Sequence, residues 1–139
     1  LCGKRQHTKN QINTWINDHP ELAVKAVNFQ TPEQMASLYK RAWVMIARPG
    51  ARTATEAIAS GCVLIFNVFG MIMPQELLAR YYFTSRGIDI SIKRPEDLRK
   101  ILFKWLEDPK KHNLIQEAYH SNHLKGNRDG IKKLILGLA

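Results

Sequence analysis

Short apolar runs alternate with amphipathic stretches along most of the chain. Four runs are brief, almost continuously apolar and rich in β-branched residues, which is typical of strands buried on both faces of a parallel sheet. The fourth run alternates with polar residues, so we expect it at a sheet edge. The predicted strands are Ala23–Phe29, Trp43–Ala47, Val63–Val68 and Ile88–Ile92.

Helical periodicity and helix-boundary residues occupy the intervals between these runs. Thr31-Pro32 is a strong helix start, because Thr caps a helix well and Pro suits the first helical position. Alternating strands and helices predict an α/β fold, a parallel sheet flanked by helices. The helix that starts at Thr31-Pro32 leads into Met35–Arg41. The other predicted helices are Gln11–Asp18, Ala54–Ser60, Pro74–Ser85, Pro95–Glu107, Pro109–His120 and Arg128–Leu138.

Composition adds limits to this outline. A chain of 139 residues with 45% hydrophobic residues suits one domain, which we assign to residues 1–139. Cys2 and Cys62 have no CxxC partner, so we expect no metal and no redox site, and the composition fits a reducing compartment. The chain opens without Met on what reads as the end of a strand. We therefore expect a piece of a longer protein.

The net charge of +9 favours phosphate-bearing partners such as nucleic acid, anionic lipid or a nucleotide, although a well-solvated basic surface explains it equally well. The basic stretch 93–111 is interleaved with apolar residues. It is either the outer face of an amphipathic helix or a contact for anionic lipid headgroups. His120 and His123 lack a third ligand nearby, and Tyr81-Tyr82-Phe83 reads as packing rather than base stacking.

The segment Arg48–Glu56 carries the candidate chemistry. It follows a predicted strand and enters a helix, and ligands of open parallel sheets gather at the carboxyl ends of the strands. Gly50 leaves the backbone open, and the N–H groups of the helix start suit a diphosphate. Arg48 and Arg52 flank that position and can neutralise phosphate charge.

Glu56 lies one turn into this predicted helix, and two interpretations remain open. A carboxylate there can accept hydrogen bonds from the two hydroxyls of a ribose. The run Thr53-Ala-Thr-Glu56 also has the spacing of a capping box, in which Glu56 accepts from the Thr53 N–H.

The run Val44–Gly61, read together with Gln75-Glu76, resembles the donor-site signature of a GT-B glycosyltransferase family. That family contains the lipid-II-forming N-acetylglucosaminyltransferase and the diacylglycerol galactosyl- and glucosyltransferases, including monogalactosyldiacylglycerol synthase. Its signature reads Arg/Lys-x-Gly-Ala/Gly-x-Thr, then Glu-Ala on a helix that ends in Gly. The resemblance covers most of the chain and implies the Rossmann-like, three-layer carboxyl half of a GT-B fold.

The resemblance also implies a role for each matched position. The diphosphate of a UDP-sugar would contact Arg48, Gly50, Ala51, Arg52 and Thr53, and the ribose would contact Glu56. Gln75 and Glu76 would bind the donor sugar, although Gln75 also reads as an ordinary polar residue of a first helical turn. The nucleobase would lie at Phe29 and Gln30, where the Phe29 side chain also reads as a core aromatic.

Three departures from the family pattern concern which sugar is bound and whether the protein is an active transferase. Ala79 stands where an Asn is usual, Trp43 replaces a common Asp, and the loop 69–74 is unusually apolar. We expect a hexosyltransferase that moves a hexose or N-acetylhexosamine from a UDP-sugar to a lipid-linked acceptor, without metal or cofactor. The resemblance also implies that the chain lacks the domain's first strand and an amino-terminal acceptor domain. The general base would come from that acceptor domain, so this piece alone would be inactive.

We expect a cytoplasmic protein that contacts the anionic inner face of the membrane peripherally, and nucleic acid is not the expected partner. The rival interpretations are a non-catalytic nucleotide-binding module and a basic nucleic-acid-binding domain.

Overall fold

The computed structural model describes residues 4–121, and the chain divides into two compact units that meet in sequence between Leu38 and Tyr39. The first unit contains helix α1 (Gln6–Asn17) and most of helix α2 (Pro32–Arg41). The start of α2 is as predicted, because Thr31 and Gln34 form a capping box. The Thr31 N–H donates to Gln34 Oε1 at 2.8 Å, and the Gln34 N–H donates to Thr31 Oγ1 at 3.3 Å.

The second unit alternates strands and helices around a parallel sheet with the order β1-β2-β3. Val44 pairs with Val63, and Phe66 pairs with Ser91. This confirms the predicted Rossmann-like α/β fold and three of the predicted strands, the last of which lies at an edge of the sheet as predicted but is shorter than Ile88–Ile92. The elements are β1 (Val44–Ala47), α3 (Ala51–Ser60), β2 (Val63–Asn67), α4 (Pro74–Thr84), β3 (Ser91–Ile92), α5 (Pro95–Glu107) and α6 (Pro109–Ser121).

Helices cover both faces of strand β2. Successive side chains of the strand point to opposite faces, so each face presents its own set of residues to a helix. Val63 and Ile65 are fully buried and cluster with Trp105 of α5. On the other face, the Phe66 ring meets the Phe83 ring of α4 edge-on, with centroids 4.8 Å apart. The sheet is therefore the middle of three layers, and its carboxyl edge is where the loops to α3 and α4 begin.

The interpretation of Ala23–Phe29 as a strand is wrong. Within the described residues this segment has no regular secondary structure, and the backbone bond seen there is local, from the Val24 N–H to the Leu22 carbonyl at 2.8 Å. A run of apolar and β-branched residues becomes a strand only where a neighbouring strand takes its N–H and C=O groups. Val24 is 46% exposed, so burial does not hold the segment in a sheet either.

Two helices begin earlier than predicted. Helix α1 starts at Gln6 instead of Gln11, and α3 starts at Ala51 instead of Ala54. The remaining predicted helices agree with α4, α5 and α6 to within a residue at each end. The last predicted helix, 128–138, lies outside the described residues.

Candidate functional site

The candidate site is formed where two parallel strands end side by side. Arg48 and Pro49 lead from β1 into α3, and the loop 68–73 leads from β2 into α4. Because β1 and β2 are parallel neighbours, both loops lie at the same edge of the sheet.

The amino terminus of α3 is open at this edge. Gly50 is the N-cap residue with φ −82° and ψ 137°, and no side chain among the described residues caps the helix. The first intrahelical bond runs from the Ala54 N–H to the Gly50 carbonyl at 2.9 Å, so the N–H groups of Ala51, Arg52 and Thr53 lie before the hydrogen-bonded ladder of the helix. A Cβ added at Gly50 would meet only Thr53 Oγ1, at 3.9 Å, so the surface above Gly50 is clear. These N–H groups and the positive end of the helix dipole suit an anion.

The Thr53–Glu56 capping box does not form, and that interpretation is wrong. Because α3 begins at Ala51, Thr53 is already in its first turn and Glu56 is in its second. The Glu56 carboxylate instead accepts from the Tyr39 hydroxyl at 3.1 Å and from Arg52 Nε at 2.8 Å. Glu56 thus lies near the helix start with its carboxylate held by side chains rather than by the backbone.

The two partners of Glu56 differ in how firmly they are placed. Tyr39 is 4% exposed, and burial, together with its hydrogen bond to Glu56, raises the pKa of Tyr39 to about 12. It is therefore a neutral donor at physiological pH. The Arg52 side chain is 79% exposed, so water and a ligand can both reach its guanidinium. Nothing in the sequence signalled Tyr39, because it lies 17 residues before Glu56.

Arg48 and Glu76 form the second polar arrangement of the site. Arg48 Nε and Nη2 donate to the two carboxylate oxygens of Glu76 at 3.0 and 2.6 Å. Nη1 donates to the Phe69 carbonyl and Nη2 to the Met71 carbonyl, both at 2.7 Å. Arg48 therefore uses four of its five N–H donors inside the protein and ties the loop 69–73 to the end of β1.

Glu76 is buried, and its carboxylate also accepts from the Met73 N–H at 2.9 Å at the start of α4. The Arg48 guanidinium and this backbone bond lower the pKa of Glu76 below its ordinary value, and Glu76 in turn raises the pKa of Arg48. The predicted contacts of Arg48 with a diphosphate and of Glu76 with a sugar stay predictions. In this structure the Arg48 guanidinium and the Glu76 carboxylate form an ion pair with each other.

Gln75 and Phe29 are exposed, and Gln30 is partly buried. The Gln75 side-chain amide contacts only the Met73 sulfur at 3.3 Å among its described partners, which leaves its carbonyl oxygen accessible. In the first unit, Phe29 is 65% exposed with Lys4 Nζ 5.8 Å from its ring centroid, so Phe29 is not a core aromatic of that unit. The Gln30 amide donates to the Asn28 carbonyl at 3.0 Å.

The other candidates behave as packing or surface residues. Phe83 is buried against Phe66 as expected. Helix α5 buries Trp105 and exposes most of its charged residues together with Phe103 and Leu106. His123 lies outside the described residues, and residues 4–121 contain no group of three His, Cys, Asp or Glu side chains placed to hold a metal. No helix in that range has both the length and the apolarity to cross a bilayer.

Comparison with known proteins decides the family. A model of the glycosyltransferase family 28 C-terminal domain matches residues 1–134. The chain belongs to glycosyltransferase family 28. This family 28 domain is 30% identical over 125 residues to a processive diacylglycerol beta-glucosyltransferase of Bacillus pumilus, covering 90% of the chain and 31% of the relative. The protein of the same name from Bacillus licheniformis is 28% identical over 131 residues, covering 94% of the chain and 33% of the relative. The chain thus spans about a third of the length of the curated relatives that it matches.

Proposed function

We propose that this family 28 domain binds the UDP-sugar donor of a glycosyltransferase whose acceptor is a lipid. The observation that carries the proposal is the open amino terminus of α3 at the carboxyl edge of the sheet, with the Glu56 carboxylate one turn along the same helix. The N–H groups at the start of α3, from Ala51 to Thr53, and the exposed Arg52 side chain would hold the diphosphate, and Glu56 would accept from the ribose hydroxyls. The names of the two Bacillus relatives support a diacylglycerol-type acceptor and a hexose such as glucose.

The chemistry proposed for this domain is charge stabilisation. As the bond to the sugar breaks, negative charge grows on the leaving UDP, and fixed N–H donors aimed at that charge lower the barrier. We propose that the domain does this without metal or cofactor, because backbone N–H groups and Arg52 can neutralise the diphosphate. Gln75, whose exposed amide both donates and accepts, is our candidate for contact with the sugar. The general base would come from another domain of the longer protein, which would work at the cytoplasmic face of a membrane.

Titration with UDP tests the ribose role of Glu56. Glu56→Gln keeps the shape of the side chain but removes its charge, so we expect UDP binding to weaken by about 1–2 kcal/mol, which is what one hydrogen bond to a charged group contributes. Isothermal calorimetry gives the affinity, and a thermal melt checks that the midpoint stays within roughly a degree, since Glu56 is partly exposed. Equal UDP affinity in the variant and the parent would show that Glu56 does not bind ribose.

The net charge of +9 leaves nucleic acid as the alternative ligand, and the same sample can test it. Oligonucleotide binding driven by this charge would weaken steeply between low and moderate salt. A chain that binds oligonucleotide in this way and does not respond to UDP contradicts the proposed donor site.

A further inference from the structure

We propose that Tyr39 is a positioning residue of the nucleotide site, and that its buried hydroxyl orients the Glu56 carboxylate so that the carboxylate selects a ribose with free hydroxyls. This inference rests on the proposed function, because it assumes that Glu56 binds ribose. It assigns the selectivity for ribose to a side chain that would not itself touch the ligand.

The two oxygens of Glu56 have unequal surroundings. Oε2 accepts from the Tyr39 hydroxyl at 3.1 Å, on the side where Tyr39 is 4% exposed. Oε1 accepts from Arg52 Nε at 2.8 Å, on the side of an arginine whose side chain is 79% exposed. One hydrogen bond therefore lies inside the protein and the other lies at its surface.

A ligand can replace only the surface partner. An incoming diphosphate offers Arg52 a doubly charged acceptor, so Arg52 can leave Oε1 when nucleotide binds. Tyr39 has no such alternative, because its ring is packed in the protein and its hydroxyl is a neutral donor with a pKa of about 12. With Tyr39 still on Oε2, each carboxylate oxygen keeps a lone pair for one hydroxyl of a vicinal pair.

Tyr39 also limits how far the Glu56 side chain can turn. Glu has three rotatable side-chain bonds, and fixing them before the ligand arrives spares the entropy that binding would otherwise cost. A fixed carboxylate raises the affinity for a ligand that presents both hydroxyls and leaves unchanged the affinity for a ligand that lacks them. The expected signature of Tyr39 is therefore selectivity for ribose rather than affinity for every nucleotide.

The test compares UDP with 2′,3′-dideoxy-UDP, which keeps the base and the diphosphate but lacks both hydroxyls. In the parent chain we expect UDP to bind more tightly than the dideoxy compound. In Tyr39→Phe, we expect UDP binding to weaken about three- to tenfold, as for one hydrogen bond, and dideoxy-UDP binding to change less than twofold. A merely structural role of Tyr39 would weaken both ligands alike.

Tyr119→Phe is the matched control, because it also removes a buried tyrosine hydroxyl, one that bonds the backbone of Leu64 and not Glu56. We expect the ratio of the two affinities in Tyr119→Phe to equal that of the parent. Binding is measured at a temperature where circular dichroism shows each variant to be folded.

The two ways of failing are distinct. A parent chain that binds UDP and dideoxy-UDP equally contradicts the ribose role of Glu56, and a parent chain that binds neither contradicts the proposed donor site. A parent that prefers UDP, beside a Tyr39→Phe variant with the same preference, leaves the donor site standing and overturns the inference about Tyr39.

Discussion

Two buried tyrosine hydroxyls in the second unit each form a hydrogen bond with a polar group from another element. Tyr39 donates to Glu56, and Tyr119 accepts from the Leu64 N–H at 3.2 Å. Leu64 is fully buried in β2, and β3 is too short to reach it, since β3 pairs only with Phe66 and Asn67. The Tyr119 hydroxyl thus takes the place of a missing ladder partner.

Removing the Tyr119 hydroxyl should therefore cost stability. Tyr119→Phe leaves the Leu64 N–H buried without an acceptor, and an unpaired buried donor costs about 1–3 kcal/mol. Urea unfolding followed by circular dichroism measures the change as a shift of the midpoint at constant slope. Tyr81→Phe is the control, because Tyr81 is 73% exposed and water can take over its hydrogen bonds. Equal midpoints for the two variants would show that the Leu64 N–H finds another partner.

The sequence predicts the polar residues of the site but not how they pair. Arg48 and Glu56 were recognisable from their positions after a strand and in a helix start, and Glu76 from the family resemblance. Their partners were not, because the Arg48–Glu76 contact spans 28 residues and the Tyr39–Glu56 contact spans 17. Such pairing depends on how helices and loops pack, which composition and periodicity do not contain.

At the level of elements, the junction between α3 and β2 needs a glycine for two reasons: a left-handed backbone and the close approach of helix α6. Gly61 follows α3 with φ +67°, a left-handed conformation that glycine adopts without strain. Its carbonyl accepts from the Gln116 side-chain amide of α6 at 3.0 Å. A Cβ added at Gly61 would come within 2.8 Å of the His120 ring, so α6 lies directly against this turn.

Gly61→Ala should accordingly destabilise the second unit more than the same change at another left-handed glycine. The conformational cost alone is about 1–2 kcal/mol, and at Gly61 the displacement of the His120 ring adds to it. Gly87 is the matched control, with φ +66° and nothing within 4 Å of an added Cβ. Thermal unfolding should rank the variants as parent, Gly87→Ala and then Gly61→Ala. Equal melting temperatures for the two glycine variants would contradict the contact with His120.

Elements were predictable where local signals and burial agreed. The strands β1 and β2 are apolar in sequence and have parallel neighbours in space, and α2 has a capping box at its start. The run Ala23–Phe29 has the composition of a strand, but no neighbouring strand pairs with it among the described residues. Helix α3 began early because Gly50 serves as its N-cap, a role that the Thr53-to-Glu56 spacing obscured.

For the molecule as a whole, a chain of net charge +9 gains positive charge as pH falls, and its carboxylates determine how well it tolerates acid. Hydrogen bonds lower the pKa of Glu76, through Arg48 and the Met73 N–H, and of Asp97, through the N–H groups of Lys93 and Arg94. A side-chain hydrogen bond with Thr31 lowers the pKa of Glu33. A carboxylate whose folded pKa lies below its unfolded one stabilises the fold above the unfolded value, near pH 4, and this contribution disappears as pH falls through the folded pKa.

Glu76 should be prominent in this acid sensitivity, because its carboxylate bonds both Arg48 and the start of α4. At pH 7, Glu76→Gln should melt well below the parent, since the amide cannot form the ion pair with Arg48. As pH falls through the lowered pKa of Glu76, the parent's own carboxylate becomes protonated, so the gap between the two melting temperatures should narrow. Glu117→Gln, an exposed change on α6, controls for lost charge and should follow the parent at every pH. A gap that stays constant from pH 7 to pH 3 would mean that the Arg48–Glu76 pair does not stabilise the fold through its charge.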